Sequence, residues 1–348
     1  MKKYIVLVCL LLSLLLIYNQ RFIQNPAIAD SVRIQLDMEE TINVPKSRLN
    51  SLTQLHASWW SEAELDGIEQ ASNLEVLFFE GNEVEDISYL TKLPHLKEIY
   101  LADNAISDIS ALADLELSKL DLSYNDLSDI SSLGSVKFKG EDGGLDLSHN
   151  NISTLEKLSS AAFEDTFDYF YFSANNNELQ VLDGIEALSG ITELEAVNNH
   201  LRDISVVSQL NDLEYINISN NMVDSLAPLK AIHPETVIAA NNNLEKLDGL
   251  NIFPNKAYYL DFKGNALTNI GDLEGITEGY INLDNTGITD LSPLMSLQQG
   301  EISFKGNIIT DHLHQTIKDL TQRGIMIEHD WLPIRELEMK PLLNAEYN

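Results

Sequence analysis

A frame of apolar residues around an asparagine recurs through most of this chain, and it constrains the fold more than any other feature. Apolar residues lie eight, five and three places before Asn104 and two and five places after it, and Asn221 has the same frame. The reference position recurs with a mean spacing of about 22.5 residues, within the period of short solenoid repeats. It falls at Asn82, Asn104, Asn125, Asn150, Asn177, Asn199, Asn221, Asn242, Asn265, Thr286 and Asn307. The sequence therefore predicts eleven stacked coils after an atypical coil at 52–65, in which Trp60 takes the asparagine place.

The coils are expected to stack because a single coil cannot bury its own apolar side. Each coil has an apolar side without a partner of its own, so successive coils bury these sides as one continuous strip. Ile99 and Leu101 flank Tyr100, and this period of two predicts a short strand whose alternate residues point inward. An asparagine can satisfy buried backbone groups in the turn that follows, so we expect an asparagine ladder in which Thr286 is a weak rung.

The residues after the asparagine carry a resemblance to a known family. They read NAISDISAL at 104–112, NDLSDISSL at 125–133 and NTGITDLSPL at 285–294. Over residues 50–328 the chain resembles the short bacterial type of leucine-rich repeat, and it is similar to the internalin and phosphatase-regulator (SDS22-like) families. The resemblance implies an α/β repeat fold, a leucine-rich repeat solenoid with a curved parallel sheet on its concave face. It also implies short 3-10 turns or extended segments on the convex face.

The N-terminus has the layout of an export signal. Lys2 and Lys3 precede an apolar run at 4–18, and an Ala-Ile-Ala stretch ending at Ala29 offers a cleavage position before Asp30. The run is shorter than the roughly twenty residues that span a membrane, although an inner-membrane anchor formed by 4–18 stays as the alternative. We therefore expect a bacterial protein exported to the periplasm or the cell exterior.

The segments outside the repeats are predicted from composition and capping signals. Val32–Leu36 reads as a strand of an N-terminal cap, and Thr310 or Asp311 can cap a helix that ends at Gly324, before a strand at Ile325–Ile327. The predicted boundaries are a signal peptide at 1–29, an N-terminal cap at 30–51, repeats at 52–309, a capping helix and strand at 310–330 and a tail at 331–348.

The coils lengthen between residues 134 and 178. Such insertions are expected to form loops on one face of the array. The run Asn175–Asn177 adds two residues to its coil, which predicts a local bulge.

The chain is strongly acidic. It has 54 acidic and 22 basic residues, for a net charge of −32. Nucleic acid binding is excluded because it requires neutralised phosphates, and anionic membranes should repel the chain beyond its N-terminal segment. Attraction to a basic partner is one interpretation of the charge, and solubility or salt adaptation is the other. The single cysteine, Cys9, lies in the apolar run, so the mature chain would have no disulfides, which favours a bacterial source.

Aspartate often stands four places after the reference residue. An Ile-Ser, Leu-Ser or similar pair usually follows, so the carboxylate is expected to cap the exposed N–H groups of a short turn. A calcium ladder is the alternative, but no Asp-x-Asp-x-Asp-Gly loop is present, and we expect no metal and no cofactor. These aspartates are Asp86, Asp108, Asp129, Asp203, Asp290 and Asp311.

The outward residues of the strands are the candidate ligand-binding positions. They lie four and six places before the reference residue, except in the coil of Asn177, where the predicted strand Phe170–Phe172 sets a local frame with Tyr169 and Tyr171 outward. Aromatic residues occupy these positions far more often than a 7% aromatic content predicts. Tyrosine gives a large contact area and a hydroxyl, as binding hot spots require, although strand propensity alone also favours aromatics. The predicted concave-face site is centred on Tyr171 and Tyr215. It comprises Phe78, Tyr100, Asp121, Asp146, Tyr169, Tyr171, Glu195, Tyr215, Tyr259 and Tyr280.

Catalytic patterns are missing from the sequence. It contains no His-Glu-x-x-His run, nucleophile elbow, P-loop or dinucleotide fingerprint. Glu193 and Glu195 form a carboxylate pair whose spacing suits a glycan hydrolase, although acidic pairs are common on so acidic a surface. The sequence thus favours a non-enzymatic exported protein that binds a protein or peptide, possibly basic. The alternative is a structural or envelope-associated scaffold without a specific concave ligand.

Overall fold

The computed structural model describes residues 26–38, 44, 46–60, 67–163, 167–188, 190–250 and 257–330. The chain forms two compact units, Met1–Glu195 and Ala196–Asn348. The predictions for the apolar run at 4–18, for Cys9 and for the tail at 331–348 lie outside the described residues. Within them, no helix is long and apolar enough to cross a membrane.

The first unit is built on short parallel strands. Seven of its described strands, β1, β2, β3, β5, β7, β9 and β10, pair in this order in one sheet, and β4, β6 and β8 form a smaller one. The strands are β1 Gln54–His56, β2 Val76–Phe78, β3 Glu98–Tyr100, β4 Glu116–Leu117, β5 Lys119–Asp121, β6 Lys137–Phe138, β7 Asp142–Asp146, β8 Ala162–Phe163, β9 Tyr169–Ser173 and β10 Glu193–Glu195. Their 3-10 turns are Ile68–Gln70, Ser88–Lys92, Ser110–Leu112, Ser131–Ser135, Glu156–Ser160 and Ile185–Ala187.

The second unit repeats this organisation. Its described strands pair in parallel in chain order from β11 to β16, and a helix, α3, precedes the last of them. The strands are β11 Tyr215–Asn217, β12 Thr236–Ile238, β13 Ala257–Asp261, β14 Glu278–Asn282, β15 Gln299–Ser303 and β16 Met326–Glu328. The 3-10 turns are Ser205–Gln209, Ala227–Ala231, Gly271–Leu273 and Ser292–Ser296, and α3 spans Asp311–Gln322. The architecture is a leucine-rich repeat solenoid, with parallel strands on one side of each coil and 3-10 turns on the other.

The apolar frame forms the core, as the sequence predicts. Ile99 and Leu101 are fully buried, whereas the outward residues Glu98 and Tyr100 are half-buried. The same alternation holds in β11, where Ile216 is fully buried. Each coil thus contributes its leucines and isoleucines to a strip that continues into the next coil, which is how a solenoid gains its stability.

The asparagine ladder is also present. Asn150 Oδ1 accepts from Leu127 N at 2.9 Å, and its Nδ2 donates to the carbonyl oxygens of Leu122 at 2.9 Å and Leu147 at 3.1 Å. Leu122 and Leu127 belong to the preceding coil, so one amide group satisfies backbone groups of two coils. Thr286 behaves as a weak rung, because its hydroxyl donates to Leu283 O of its own coil at 2.7 Å.

The predicted bulge at Asn175–Asn177 is wrong. Strand β9 pairs residue for residue with β7 and β10 as far as Ser173. Asn176 then adopts a left-handed backbone with φ of 55°, as Asp103 does before its own ladder residue Asn104. A residue before the ladder asparagine needs this conformation, which asparagine, aspartate and glycine tolerate best. The extra asparagines therefore fill ordinary positions of the coil.

The strand predicted at Val32–Leu36 is wrong as well. A helix, α1, spans Pro26–Gln35, and a one-turn helix, α2, follows at Lys46–Leu49. Ile28 and Val32 are buried because their four-residue spacing places them on one helix face, whereas Ile34 is exposed. Gln35 Nε2 donates to the Gln54 carbonyl at 2.7 Å, which fastens α1 to the first strand. The predicted cleavage position after Ala29 therefore falls inside a packed helix.

The C-terminal helix begins where the sequence places a cap. The side chain of Thr310 accepts from Leu313 N at 3.2 Å, which satisfies a free N–H of the first turn of α3. Gly324, with φ of 90°, follows the helix end, and β16 begins one residue later than predicted.

Candidate binding surface

The outward residues of each parallel sheet form a surface that we call the open sheet face. In the first unit, residues four places before the ladder position pair in one register, and so do residues six places before it. The first row is His56, Phe78, Tyr100, Asp121, Asp146, Ser173 and Glu195. The second row is Gln54, Val76, Glu98, Lys119, Gly144, Tyr171 and Glu193.

Three aromatic rings stack at the start of the first row. The ring centroids of His56 and Phe78 lie 4.2 Å apart, and those of Phe78 and Tyr100 lie 4.6 Å apart, in nearly parallel planes. The adjacent strand spacing of about 4.8 Å places equivalent side chains at this distance. The prediction did not include His56 because its coil is atypical, although its place four residues before Trp60 could have identified it.

Carboxylates continue the row after the rings. Asp121 Oδ1 accepts from both the N–H and the hydroxyl of Ser123, and Asp146 Oδ1 accepts from Ser148 N at 2.8 Å. Burial raises the pKa of Asp146 above its ordinary value, despite the two lowering hydrogen bonds from Ser148. A carboxylate that is buried among other acids is stabilised by an incoming cation.

A pocket of about 520 Å³ opens where the rings meet the carboxylates. Its walls come from β3, β5, β7 and β9, so four successive coils build it. The lining residues are Tyr100, Lys119, Leu120, Asp121, Asp142, Gly143, Tyr169 and Tyr171. Four of the predicted site residues therefore lie together in one cavity, and the lining also includes Lys119 and Asp142.

The position of the Tyr171 ring requires glycine at residue 144. A Cβ atom at Gly144 would collide with the Tyr171 ring, so the ring lies over the glycine. Burial, followed by the charges of Asp146 and Asp121, raises the pKa of Tyr171 above its ordinary value. Its hydroxyl donates to no partner among the described residues and is available to a ligand.

The other two tyrosines of the pocket are held by glutamates. Tyr100 donates its hydroxyl to Glu98 at 2.8 Å, and Tyr169 donates to Glu193 at 2.7 Å. Burial and the hydrogen bond to Glu193 raise the pKa of Tyr169 to about 12. The register also corrects the predicted local frame, because Ser173, not Tyr169, pairs with Asp146 and Glu195. Tyr169 pairs with Asp142 at the upstream end of the longer strands.

Glu193 and Glu195 do not form an isolated acid pair. Glu193 accepts the hydroxyl of Tyr169, and Glu195 accepts the side-chain amide of Asn175 at 2.7 Å. Both carboxylates therefore serve as anchors for neighbouring side chains of the open sheet face. These contacts give a structural role to Glu193 and Glu195, the pair whose spacing suits a glycan hydrolase.

The open sheet face of the second unit carries the remaining predicted residues. Tyr259 and Tyr280 pair in register and stack with centroids 4.8 Å apart, and Tyr215 precedes them in the same row. Burial raises the pKa of Asp261, which accepts from Asn282 at 3.1 Å. A shallower depression of about 410 Å³ lies beside this stack. It is lined by Tyr258, Glu278, Gly279, Tyr280, Gln299, Gly300, Glu301 and Met326.

Five of the six ordered aspartates are turn caps, whereas Asp311 is the first residue of α3 and Thr310 caps that helix instead. Asp108 Oδ1 accepts from Ser110 N, two residues later, at 2.8 Å. The backbone N–H of the serine two residues later donates in the same way to Asp86, Asp129, Asp203 and Asp290. The backbone hydrogen bond lowers the pKa of Asp108, as it does for Asp129 and Asp290. In the part of the chain that the structure describes, no three His, Cys, Asp or Glu residues are grouped to hold a metal ion.

Comparison with known proteins agrees with this architecture. Residues 72–114 match the family described as Leucine Rich repeats (2 copies). The crystal structure of an internalin (InlF) from Listeria monocytogenes is 22% identical, with a TM-score of 0.54 over 90% of this chain and 97% of that chain. The functional domain of InlJ from Listeria monocytogenes is 18% identical, with a TM-score of 0.57 over 88% of this chain and 60% of that chain.

A curated relative comes from a mammal. Leucine-rich repeat-containing protein 23 of Bos taurus is 26% identical over 219 residues, which cover 62% of this chain and 59% of that protein. The likenesses to solved structures show the fold alone. By fold, the chain is a leucine-rich repeat protein that is structurally similar to Listeria internalins. Because similar proteins come from a bacterium and a mammal, the bacterial source stays a prediction.

Proposed function

We propose that this chain is a non-enzymatic recognition protein that binds a protein or peptide through its open sheet faces. Leucine-rich repeat proteins typically bind proteins, which supports this class of function. The observation that carries the proposal is the pocket of the first unit, where three tyrosines meet charged groups that form no salt bridge within the described residues. Folding alone does not require tyrosine at these outward positions, because the core lies on the other side of the strands.

The charge of the surface supports a basic partner. Lys119 is the only lysine or arginine in the two outward rows of the first unit, against Glu98, Asp121, Asp146, Glu193 and Glu195. In the second unit, the outward residues from β11 to β16 include Asp261, Glu301 and Glu328 and no lysine or arginine. Acidic faces attract cationic partners and speed their association.

A displayed random peptide library tests the proposal. The wild-type full chain is compared with a variant in which Tyr171, Tyr215 and Tyr259 are alanine. The matched control is Tyr89→Ala, which removes a half-buried tyrosine from the 3-10 turn at Ser88–Lys92. We expect the wild type and the control to select the same basic sequences, and the triple variant to lose at least tenfold in affinity for them.

Salt and the triple variant separate the two candidate functions. Raising the salt from about 0.05 to 0.5 M should weaken binding, because screening shortens the range of the acidic field. Selected peptides that bind the triple variant as well as the wild type would rule out the open sheet faces. Binding that only Tyr89→Ala disturbs would instead favour the scaffold, with contacts on the turn side.

We further propose that the N-terminal segment exports the chain. Its paired lysines, apolar run and small residues support this. Because Ile28 is fully buried in α1, we expect any cleavage to fall before Pro26 rather than after Ala29. A fusion of residues 1–30 to a reporter enzyme that is active only outside the cytoplasm tests export, and N-terminal sequencing of the exported full chain locates the cleavage. An inactive reporter, or a mature chain that begins at Asp30, would contradict the respective expectation.

A further inference from the structure

The pocket of the first unit contains charges of both signs that lack internal partners. Within the described residues, Lys119 and Asp142 make no salt bridge, and the second oxygen of Asp121 accepts no hydrogen bond. The lysines nearby behave differently, because Lys97 pairs with Glu75 at 2.9 Å and Lys137 pairs with Glu116 at 3.5 Å. An unpaired lysine in so acidic a chain needs an explanation.

The charges alternate in space. Lys119 and Asp121 both point outward from β5, two residues and about 7 Å apart. Lys119 pairs with Gly144 on β7, and Asp142 lies two residues before Gly144 on the same side of that strand. A carboxylate therefore flanks Lys119 in each direction along the strands. One ligand residue can reach the ammonium and a carboxylate together.

This pattern suits neither a simple cation nor a simple anion. A ligand with only positive charge would face Lys119, and one with only negative charge would face Asp121 and Asp142. A ligand residue that carries both charges satisfies Lys119 and Asp121, which lie about 7 Å apart on one strand. The tyrosine rings favour a cation at their faces, and a guanidinium can bind one carboxylate with two parallel N–H donors.

We propose that this pocket binds the C-terminal residue of a peptide that ends in a basic residue, arginine above all. The terminal carboxylate lies on Lys119, and the side-chain cation lies between Asp121 and the rings of Tyr100 and Tyr171. A volume of about 520 Å³ accommodates one such residue, and the preceding peptide runs along the open sheet face. This inference rests on the proposed peptide binding and specifies which end of the peptide is recognised.

Three short peptides with a common sequence test the charge pattern. The first, acetyl-Gly-Ser-Gly-Arg, ends in a free carboxylate; the second is its amide; the third has citrulline, the uncharged analogue of arginine, with a free carboxylate. Binding to the full chain is measured by calorimetry at low salt. We expect the first peptide to bind at least tenfold more tightly than either of the others.

Single substitutions assign each charge to its partner. Lys119→Gln should abolish the difference between the acid and the amide, and Asp121→Asn should reduce the difference between arginine and citrulline about tenfold. Lys92→Gln and Asp126→Asn are matched controls, because they remove the same charges from exposed positions outside the pocket. Urea unfolding of each variant checks that the fold is unchanged.

The outcomes that overturn the inference differ from those that overturn the proposed function. Equal binding of acid and amide would mean that no terminal carboxylate is recognised, and equal binding of arginine and citrulline would remove the cation. If none of the three peptides binds, the pocket has another ligand. Each of these results overturns the inference but leaves the proposed peptide binding standing. If the library selection yields no peptide that binds the wild-type chain, both proposals are wrong.

Discussion

The two sides of strand β9 show how this fold separates stability from recognition. Phe170 and Phe172 point inward and are fully buried, and Phe170 packs against the rings of Phe163 and Phe167 at about 5 Å. Tyr171 lies between them in sequence, points outward and borders the pocket. The inward residues are chosen for packing within and between coils. The outward residue packs over Gly144 on the open sheet face and not into the core, so it can vary with the ligand without loss of the core.

The largest effect is expected from the inward side of β9. Phe170→Ala removes a fully buried ring from a phenylalanine cluster and should lower the free energy of unfolding by about 3–5 kcal/mol. Tyr171→Phe removes only the outward hydroxyl and should alter it by less than about 0.5 kcal/mol. Urea unfolding of both variants makes the comparison. Equal losses would show that the outward tyrosine also belongs to the core.

The ladder asparagines also lie on the inward side and should follow in magnitude. Asn150→Ala leaves the carbonyls of Leu122 and Leu147 and the N–H of Leu127 without their partner. The loss in unfolding free energy should be about 2–3 kcal/mol, because unsatisfied buried backbone groups are costly. Asn151→Ala is the control, since Asn151 is the exposed neighbour. A loss below about 1 kcal/mol at Asn150 would mean that water replaces the amide.

The inward side was largely predictable from the sequence, and the outward side was not. The ladder, the buried leucines and the capping aspartates depend on contacts that recur at a fixed period, so one frame assigns them all. The pocket depends on a particular combination: Tyr171 needs an adjacent Gly144, and Lys119 matters because no acid among the described residues forms a salt bridge with it. The repeat frame assigns each residue separately by its distance from the ladder asparagine. It can therefore place Tyr171 on the surface, but it cannot show which side chains surround it.

Two further features escaped prediction because they depend on local deviations from the frame. Val32–Leu36 has alternating apolar residues, which suggested a strand, but Ile28 extends the pattern to a helical spacing that buries one face of α1. Tyr124 and His149 occupy the left-handed position before a ladder asparagine, where smaller residues are usual, and their rings stack with centroids 3.8 Å apart. The frame locates this position, but only the structure shows its backbone conformation.

A substitution at Thr286 should have a smaller effect of opposite sign, a gain in the free energy of unfolding. The Thr286 hydroxyl donates to Leu283 O of its own coil and to Asn307 Oδ1 of the following coil, whereas Asn265 Nδ2 reaches back to Ala239 O of the preceding coil at 2.9 Å. Thr286→Asn should restore a bond to the preceding coil and raise the free energy of unfolding by about 0.5–1.5 kcal/mol. Asn265→Thr is the reciprocal variant and should lower it. A destabilised Thr286→Asn chain would indicate that this coil has adapted its packing to threonine.

The smallest effects are expected from acid titration, and they should have opposite signs on the two sides of the coil. The turn caps Asp108, Asp129 and Asp290 have lowered pKa values because they accept backbone hydrogen bonds. Their contribution is present above the unfolded pKa, near 3.9, and is lost as pH falls through the lower folded pKa. Burial raises the pKa of Asp146 on the open sheet face, so its ionised form costs stability at neutral pH and the cost disappears as pH falls through the raised value.

Two sets of asparagine variants separate these contributions. Replacing the three caps should lower the melting temperature at pH 7, and the difference from wild type should shrink below about pH 4. Asp146→Asn keeps an acceptor for Ser148 and should raise the melting temperature at pH 7, with the difference fading as the solution is acidified. Melting curves between pH 3 and 7 measure both. A lower melting temperature for Asp146→Asn at pH 7 would mean that neighbouring groups of the open sheet face stabilise the ionised Asp146 carboxylate. The outward acids would then contribute to folding as well as to recognition.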